Sequence, residues 1–114
     1  MVQIDIINEN DITTLKIDGD VDASSSIQLD ESMSASMEGV NRKILVDCSS
    51  LNYISSAGLG VFMSYLEDID SKNIRLALFG LSEKVHNVFE ILGLDQLLTI
   101  VKSKEEALAI INEA

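Results

Sequence analysis

An apolar run from Lys43 to Cys48 is the feature that most limits the folds open to this chain. Its interior residues follow one another without alternation, which is typical of a strand buried on both faces of a sheet. A turn-rich interval, predicted as a loop over Ser49 to Tyr53, separates the run from an amphipathic stretch, Leu59 to Ile69. A buried strand that leads into a helix is the building unit of parallel α/β folds. We therefore predict an α/β fold with this strand at its centre.

The junction between that strand and that helix places two hydroxyls and two glycines where the helix begins. Its sequence is Ile54-Ser55-Ser56-Ala57-Gly58-Leu59-Gly60. The first backbone N–H groups of a helix lack intrahelical partners, and the positive end of the helix dipole lies beside them. Such an end can accept a side-chain oxygen, a phosphate or a partner's carboxylate. We predict that this junction is the working site and that the rest of the chain supports it.

The chain is predicted to open with a β-hairpin and a helix. Two segments of alternating apolar residues flank the turn-rich stretch Asn8 to Asp11. Gly19 to Asp22 is expected to end the second strand, and Asp22 or one of the three serines at 24–26 is expected to cap the helix. Gly39 is expected to close that helix. Its predicted buried stripe is Leu29, Met33, Met37 and Val40.

The second half continues the alternation of strands and helices. A buried strand is expected over Ile74 to Phe79 and a short one over Leu97 to Val101. Ser82 is predicted to cap the helix between them and Gly93 to stop it, while Ser103 begins a capping box for a final helix. The buried positions of the three helices after the junction are predicted as Leu59, Phe62, Met63, Leu66, Ile69, Val85, Val88, Phe89, Leu92, Ala107, Leu108 and Ile111.

Taken together, these elements predict one domain over residues 1–114. The expected fold class is α/β, with a mixed, mostly parallel sheet of about five strands and about four helices. Hydrophobic residues make up 46% of the chain and charged residues 24%, so the chain is expected to fold rather than remain disordered.

The charge of the chain restricts its partners. The net charge is −11, and between Ile17 and Ser71 the only basic residues are Arg42 and Lys43. Binding to nucleic acid or to an anionic membrane needs clustered Lys and Arg, so neither is expected as a partner. The acidic surface is either a solvated face or a docking face for a protein with a basic patch. No stretch approaches the ~20 apolar residues of a membrane span, and the first ten residues lack a signal-peptide layout, so we predict a cytoplasmic protein.

Catalytic and metal-binding patterns are missing from the sequence. The residues around Ser56 lack the Gly-x-Ser-x-Gly spacing of a hydrolase elbow, and nothing in the pattern brings the only histidine, His86, to that hydroxyl. A single His and the single Cys48 make no zinc pattern, and Cys48 is expected to be inert packing. Three alternating aspartates between residues 18 and 22 lack the Gly and Glu spacing of a calcium loop. We predict no enzymatic activity, no cofactor and no metal.

Chemistry alone leaves two interpretations of the junction serines. In one, Ser55 or Ser56 is only an N-cap, which stabilises a helix by ~1 kcal/mol. In the other, an exposed hydroxyl receives a phosphate, which adds about −1.5 to −2 charges at the positive end of the helix dipole. The fold would tolerate that anion, because the dipole favours it. The surrounding acidic surface, however, would then repel an acidic partner surface.

Three blocks of the sequence resemble the STAS domain in its anti-sigma factor antagonist form. They are Gly19 to Asp22 ahead of a helix, Ile44 to Ser49, and Tyr53 to Gly60, and the similarity extends from about Ile4 to the final helix. The resemblance implies a partner-switching regulator. In that family the unphosphorylated domain binds an anti-sigma factor that is also a serine kinase and so frees the sigma factor. Phosphorylation by that kinase ends the binding, and a metal-dependent serine phosphatase restores it.

Motif position implies which residues take part. The phosphate acceptor would be Ser56, two residues before Gly58, with Ser55 as the second choice, since members of the family often have Asp at that position. The docking surface implied by the resemblance consists of Asp20, Asp22, Ser55, Ser56, Ala57 and Gly58. The alternative is a STAS module that scaffolds a signalling complex or senses a small ligand, with both serines acting only as caps.

Overall fold

The structure, a computed structural model, describes residues 2–113. In that part of the chain the strands are β1 (Val2–Glu9), β2 (Ile12–Val21), β3 (Lys43–Ile54), β4 (Arg75–Phe79) and β5 (Thr99–Val101). They form one sheet in the sequential order β1-β2-β3-β4-β5. The β1–β2 pair is antiparallel and the other three pairs are parallel. The predicted hairpin and the predicted mixed, mostly parallel sheet are confirmed.

Helices cover both faces of this sheet. Within residues 2–113 the α-helices are α1 (Ser26–Glu38), α2 (Ser56–Ser64), α3 (Leu66–Ser71), α4 (Glu83–Ile91) and α5 (Lys104–Ile111), and a short 3-10 helix spans Leu94–Gln96. The main core lies on one face, where α1, α2 and α4 pack against the sheet. On the other face, Ala107 and Ile111 of α5 pack in a smaller cluster with Leu45 of β3 and with residues of β4. Because Ile44 and Val46 belong to the main core, β3 is buried on both faces, as predicted.

Three predicted helix boundaries are confirmed by their hydrogen bonds or backbone angles. The Ser82 side chain accepts a bond from the Val85 backbone N–H, and Ser103 accepts one from that of Glu106, each at 3.2 Å. Gly93 follows α4 with a φ of +73°, a conformation that favours glycine. These boundaries depend on contacts within a few residues, which is why the local sequence predicts them.

The interval Ser49 to Tyr53 was predicted to be a loop, and this is wrong, because β3 continues to Ile54. The extension pairs with the end of β2, which also runs past its predicted break to Val21. Irregularities in the register between Lys16 and Asp18 and between Gly19 and Asp20 let the two strands stay paired. The helix therefore follows the strand with only Ser55 between them.

The single helix predicted after the junction is divided in two at Tyr65. Tyr65 adopts φ −101° and ψ 0°, and its hydroxyl donates a 2.8 Å hydrogen bond to the Asp30 carboxylate of α1. Burial of the phenol and the neighbouring Asp30 raise the pKa of Tyr65 to about 12. The predicted buried stripes are correct for most positions, but Val40, Met63 and Leu92 are exposed. Val40 lies beyond the end of α1 and is 91% exposed.

Candidate functional site at the start of the second helix

The ends of β2 and β3 bring the starts of two helices to one edge of the sheet. Val21 and Ile54 are paired at the ends of these strands. The Ser55 backbone N–H donates a 2.8 Å hydrogen bond to the Val21 carbonyl, which extends the pairing one residue further. Because α1 begins five residues after Val21 and α2 begins at Ser56, the two helix starts lie side by side. The positive ends of both helix dipoles therefore meet at this edge.

The two junction serines have different environments. Ser55 is the N-cap of α2, and its half-buried side chain accepts a hydrogen bond from the Gly58 backbone N–H at 3.2 Å. Ser56 is the first residue of the helix and is exposed. Within residues 2–113, no hydrogen bond engages the Ser56 hydroxyl. The capping role thus falls to Ser55, and the hydroxyl of Ser56 faces solvent.

Gly58 allows the start of α2 to lie against the strand ends. A Cβ atom at this position would be 2.7 Å from Ile54 Cγ1 and 2.8 Å from Val21 Cγ1, closer than carbon atoms approach. Both neighbours are buried. At Gly60, one turn into the helix, an added Cβ would meet nothing within 4 Å. Only the first of the two glycines is required by packing.

The Asp22 side chain accepts hydrogen bonds from the residues that immediately precede α1. Its carboxylate accepts hydrogen bonds from the Ser25 backbone N–H at 2.9 Å, the Ser25 hydroxyl at 2.8 Å and the Ser24 hydroxyl at 2.9 Å. These bonds, led by the one from the Ser25 backbone, lower the pKa of Asp22 to about 2. The N-cap of α1 is Ser25, which makes no side-chain capping bond, and the Asp22 carboxylate instead holds the turn ahead of the helix through the Ser25 backbone N–H.

The surface around the junction is acidic with exposed apolar side chains. Asp20, Asp22, Ser56 and Ala57 are all exposed, whereas Gly58 is buried. Tyr53 pairs with Asp20 and is 46% exposed, but it is not among the predicted docking residues, because Ser49 to Tyr53 was predicted as a loop. The exposed Ile27 in the first turn of α1 is not among them either. Ile27 lies two residues before the buried Leu29, a spacing that would have identified it as outward-facing.

The one histidine and the one cysteine of the chain are each at least partly buried. His86 is half-buried on α4. Cys48 is fully buried, and burial raises the pKa of its thiol. In the described part of the chain, no group of three or more His, Cys, Asp or Glu is placed to hold a metal ion. None of the helices described combines the length and apolar character needed to cross a bilayer.

Comparisons with known proteins agree on one family. A sequence model of the STAS domain matches residues 3–107. An anti-sigma-B factor antagonist of Staphylococcus aureus is 25% identical over 104 residues, which cover 91% of this chain and 96% of that protein. An anti-sigma factor antagonist from Mycobacterium paratuberculosis superposes with a TM-score of 0.91 at 14% identity, covering 99% of this chain and 96% of that one. The Bacillus cell fate determinant SpoIIAA in its phosphorylated form superposes with a TM-score of 0.68 at 19% identity, covering 95% and 96%.

Proposed function

The chain belongs to the STAS domain family, and on that premise we propose that it is a cytoplasmic anti-sigma factor antagonist whose binding is switched by phosphorylation of Ser56. The unphosphorylated chain binds an anti-sigma factor that is also a serine kinase, and the sigma factor is released. The kinase phosphorylates Ser56, which ends the binding, and a serine phosphatase restores it. The chain itself catalyses no reaction.

This proposal depends mainly on the different environments of Ser55 and Ser56. A kinase can modify only a hydroxyl that is accessible to it. If the fold is to survive phosphorylation, that hydroxyl must not make a hydrogen bond on which the fold depends. Ser56 meets both conditions, because it is exposed and its hydroxyl is not engaged within residues 2–113. Ser55 meets neither, since its side chain is half-buried and caps α2. These observations support Ser56, rather than Ser55, as the phosphate acceptor.

Electrostatics explain how a phosphate there would change binding without unfolding the domain. The anion would lie at the positive end of the α2 dipole, where negative charge is stabilising. The same edge already carries the exposed carboxylates of Asp20 and Asp22. An added charge of about −1.5 to −2 would strengthen this negative field and repel any acidic group of the partner that faces Ser56.

The proposed docking surface is the edge at which α1 and α2 begin. Asp20, Asp22, Ser56 and Ala57 form its exposed part. Ser55 and Gly58 act beneath it, because Ser55 holds the first turn of α2 and Gly58 lets that turn lie against Val21 and Ile54. Exposed apolar side chains near the two helix starts, Ile27 and Tyr53, add area that a partner can bury.

The test is to identify the partner and then map the modified residue. The tagged chain is recovered from its own cells with bound proteins, and we expect a histidine-kinase-like ATPase among them. That ATPase, purified and incubated with the chain and Mg-ATP, is expected to place one phosphate on Ser56. Phosphate only on Ser55, Ser24 or Ser103 would show that the assignment of Ser56 is wrong. Stable binding of the ATPase without any phosphate transfer would instead support an interaction module without a switch.

A further inference from the structure

The outer edge of β1 is a long strand edge without a neighbour in the described structure. β1 pairs with β2 along its whole length and forms the end of the sheet. It spans eight residues, Val2–Glu9, whereas the edge strand at the other end of the sheet, β5, spans only three. The backbone N–H and C=O groups on an unpaired edge can hydrogen-bond with an added strand.

Edge strands usually carry features that prevent such pairing, and β1 has few of them. Proteins block edges with proline, with bulges or by shortening the strand. The chain contains no proline. The register between β1 and β2 runs without interruption from Val2 opposite Gly19 to Glu9 opposite Ile12. The protective feature that β1 does carry is charge, because Asp5 and Glu9 lie on the same face of the strand.

The other face of β1 adjoins a groove whose lining combines apolar side chains with polar ones such as Asn8, Thr13 and Asn41. Ile6 is 40% exposed on this face, and the groove beside it has a volume of about 560 Å³. Ala35 and Val40, at the end of α1 and just beyond it, line the opposite wall. An added strand would place alternate side chains in this groove, because successive side chains of a strand point to opposite faces. Apolar side chains at those positions would cover Ile6 and Val40.

The remaining side chains of an added strand would face Asp5 and Glu9, with the 42% exposed Ile7 between them on the same face. Lys16 of β2 lies opposite Asp5. The one ion pair within residues 2–113 joins Lys43 and Asp11 instead. Within residues 2–113 the Asp5 carboxylate accepts one hydrogen bond, at 3.5 Å from the exposed Gln3 side chain, and no hydrogen bond engages the Glu9 carboxylate, so both can face a basic strand. A second copy of this chain would bring its own Asp5 and Glu9 to the same edge, and each copy carries a net charge of −11. Like charges facing each other across strands are destabilising.

We propose that the outer edge of β1 binds an extended segment of a partner protein in which basic and apolar residues alternate. The apolar residues lie in the groove beside Ile6, the basic residues lie over Asp5 and Glu9, and backbone hydrogen bonds join the segment to the sheet. The groove lies towards the end of the sheet at which β2 and β3 begin, whereas Ser56 lies at the end where they finish. Binding at β1 is therefore independent of the state of Ser56.

A pair of synthetic peptides and a pair of charge-reversal variants test this proposal. One peptide alternates lysine and valine, and the other alternates glutamate and valine at the same length. We expect the lysine peptide to bind and to slow hydrogen exchange of backbone amides within Val2–Glu9. The variant Asp5→Lys with Glu9→Lys is expected to bind the lysine peptide about tenfold more weakly and to gain binding of the glutamate peptide. Asp70→Lys with Glu90→Lys makes the same change in net charge far from β1 and is expected to bind like the unaltered chain.

Each other outcome contradicts the proposal. Equal weakening by both double variants would show that the lysine peptide responds only to net charge. Slowed exchange confined to α2, or the absence of binding, would show that the β1 edge does not accept a strand. Dimerisation of the unaltered chain with protection of Val2–Glu9 would identify a second copy as the occupant. Ser56→Asp is expected to bind the lysine peptide normally, so the result does not depend on whether the phosphorylation switch exists.

Discussion

The side chain of Ser55 accepts a hydrogen bond from the backbone N–H of Gly58 at 3.2 Å, and this bond closes the first turn of α2. The bond engages the hydroxyl of Ser55, whereas the neighbouring Ser56 is exposed to solvent. Two neighbouring serines thus have different environments, since one caps the helix and the other is exposed.

Replacing the two serines by alanine should affect stability differently. Ser55→Ala removes the N-cap acceptor and is expected to lower the free energy of unfolding by ~1 kcal/mol. Ser56→Ala removes an exposed hydroxyl and is expected to change it by less than ~0.5 kcal/mol. Urea unfolding followed by circular dichroism measures both. Equal losses for the two variants would contradict the assignment of the cap to Ser55.

A fixed negative charge at residue 56 should separate folding from binding. Ser56→Asp is expected to be as stable as the unaltered chain or more stable by ~0.3–1 kcal/mol, because the charge lies at the positive end of the α2 dipole. Its affinity for the anti-sigma factor should fall by about tenfold or more, measured by calorimetry. Ser71→Asp, which adds the same charge at the exposed end of α3, is the control and should bind normally. Unchanged affinity of Ser56→Asp would be evidence against charge repulsion as the mechanism.

The two glycines of α2 should respond in opposite directions to alanine. At Gly58 the new methyl group would overlap Ile54 and Val21, so a loss of about 1–3 kcal/mol is expected. At Gly60 the methyl group meets open space, and the higher helix propensity of alanine should add up to ~1 kcal/mol. Thermal and urea unfolding of the two variants check this. A Gly58→Ala variant of normal stability would show that the strand ends can move away from α2.

The bonds to Asp22 should make stability depend on pH in acid. The pKa of this carboxyl is about 2 in the folded chain and 3.8 as the ordinary value. Because the folded value is the lower one, the stabilising contribution is fully present above about pH 4 and is lost as the pH falls towards 2. Asp22→Asn keeps an oxygen acceptor without a titrating group, so its stability should fall less steeply between pH 4 and pH 2. Parallel slopes for the two proteins in that range would contradict the prediction.

The elements that the sequence predicted correctly are those with local causes. The capping bonds of Ser82 and Ser103 reach three residues ahead, and the double burial of β3 follows from uninterrupted apolar residues. The continuation of β3 through Tyr53 has no local signal, because it depends on pairing with the end of β2. The division of the helix at Tyr65 likewise accompanies a hydrogen bond to Asp30, which lies thirty-five residues away in the chain.

For the candidate site, the sequence by itself determined where it lies and which kinds of group it contains. Two serines and a glycine between a buried strand and an amphipathic stretch specify a helix start, since helix ends are formed by contacts within one turn. Only the tertiary structure decided which serine is the cap, that Asp22 lies at the same edge, and why residue 58 must be glycine. Those features depend on how the ends of β2 and β3 pair. The sequence does not predict them, because pairing between distant segments leaves no periodic pattern in the sequence of either segment.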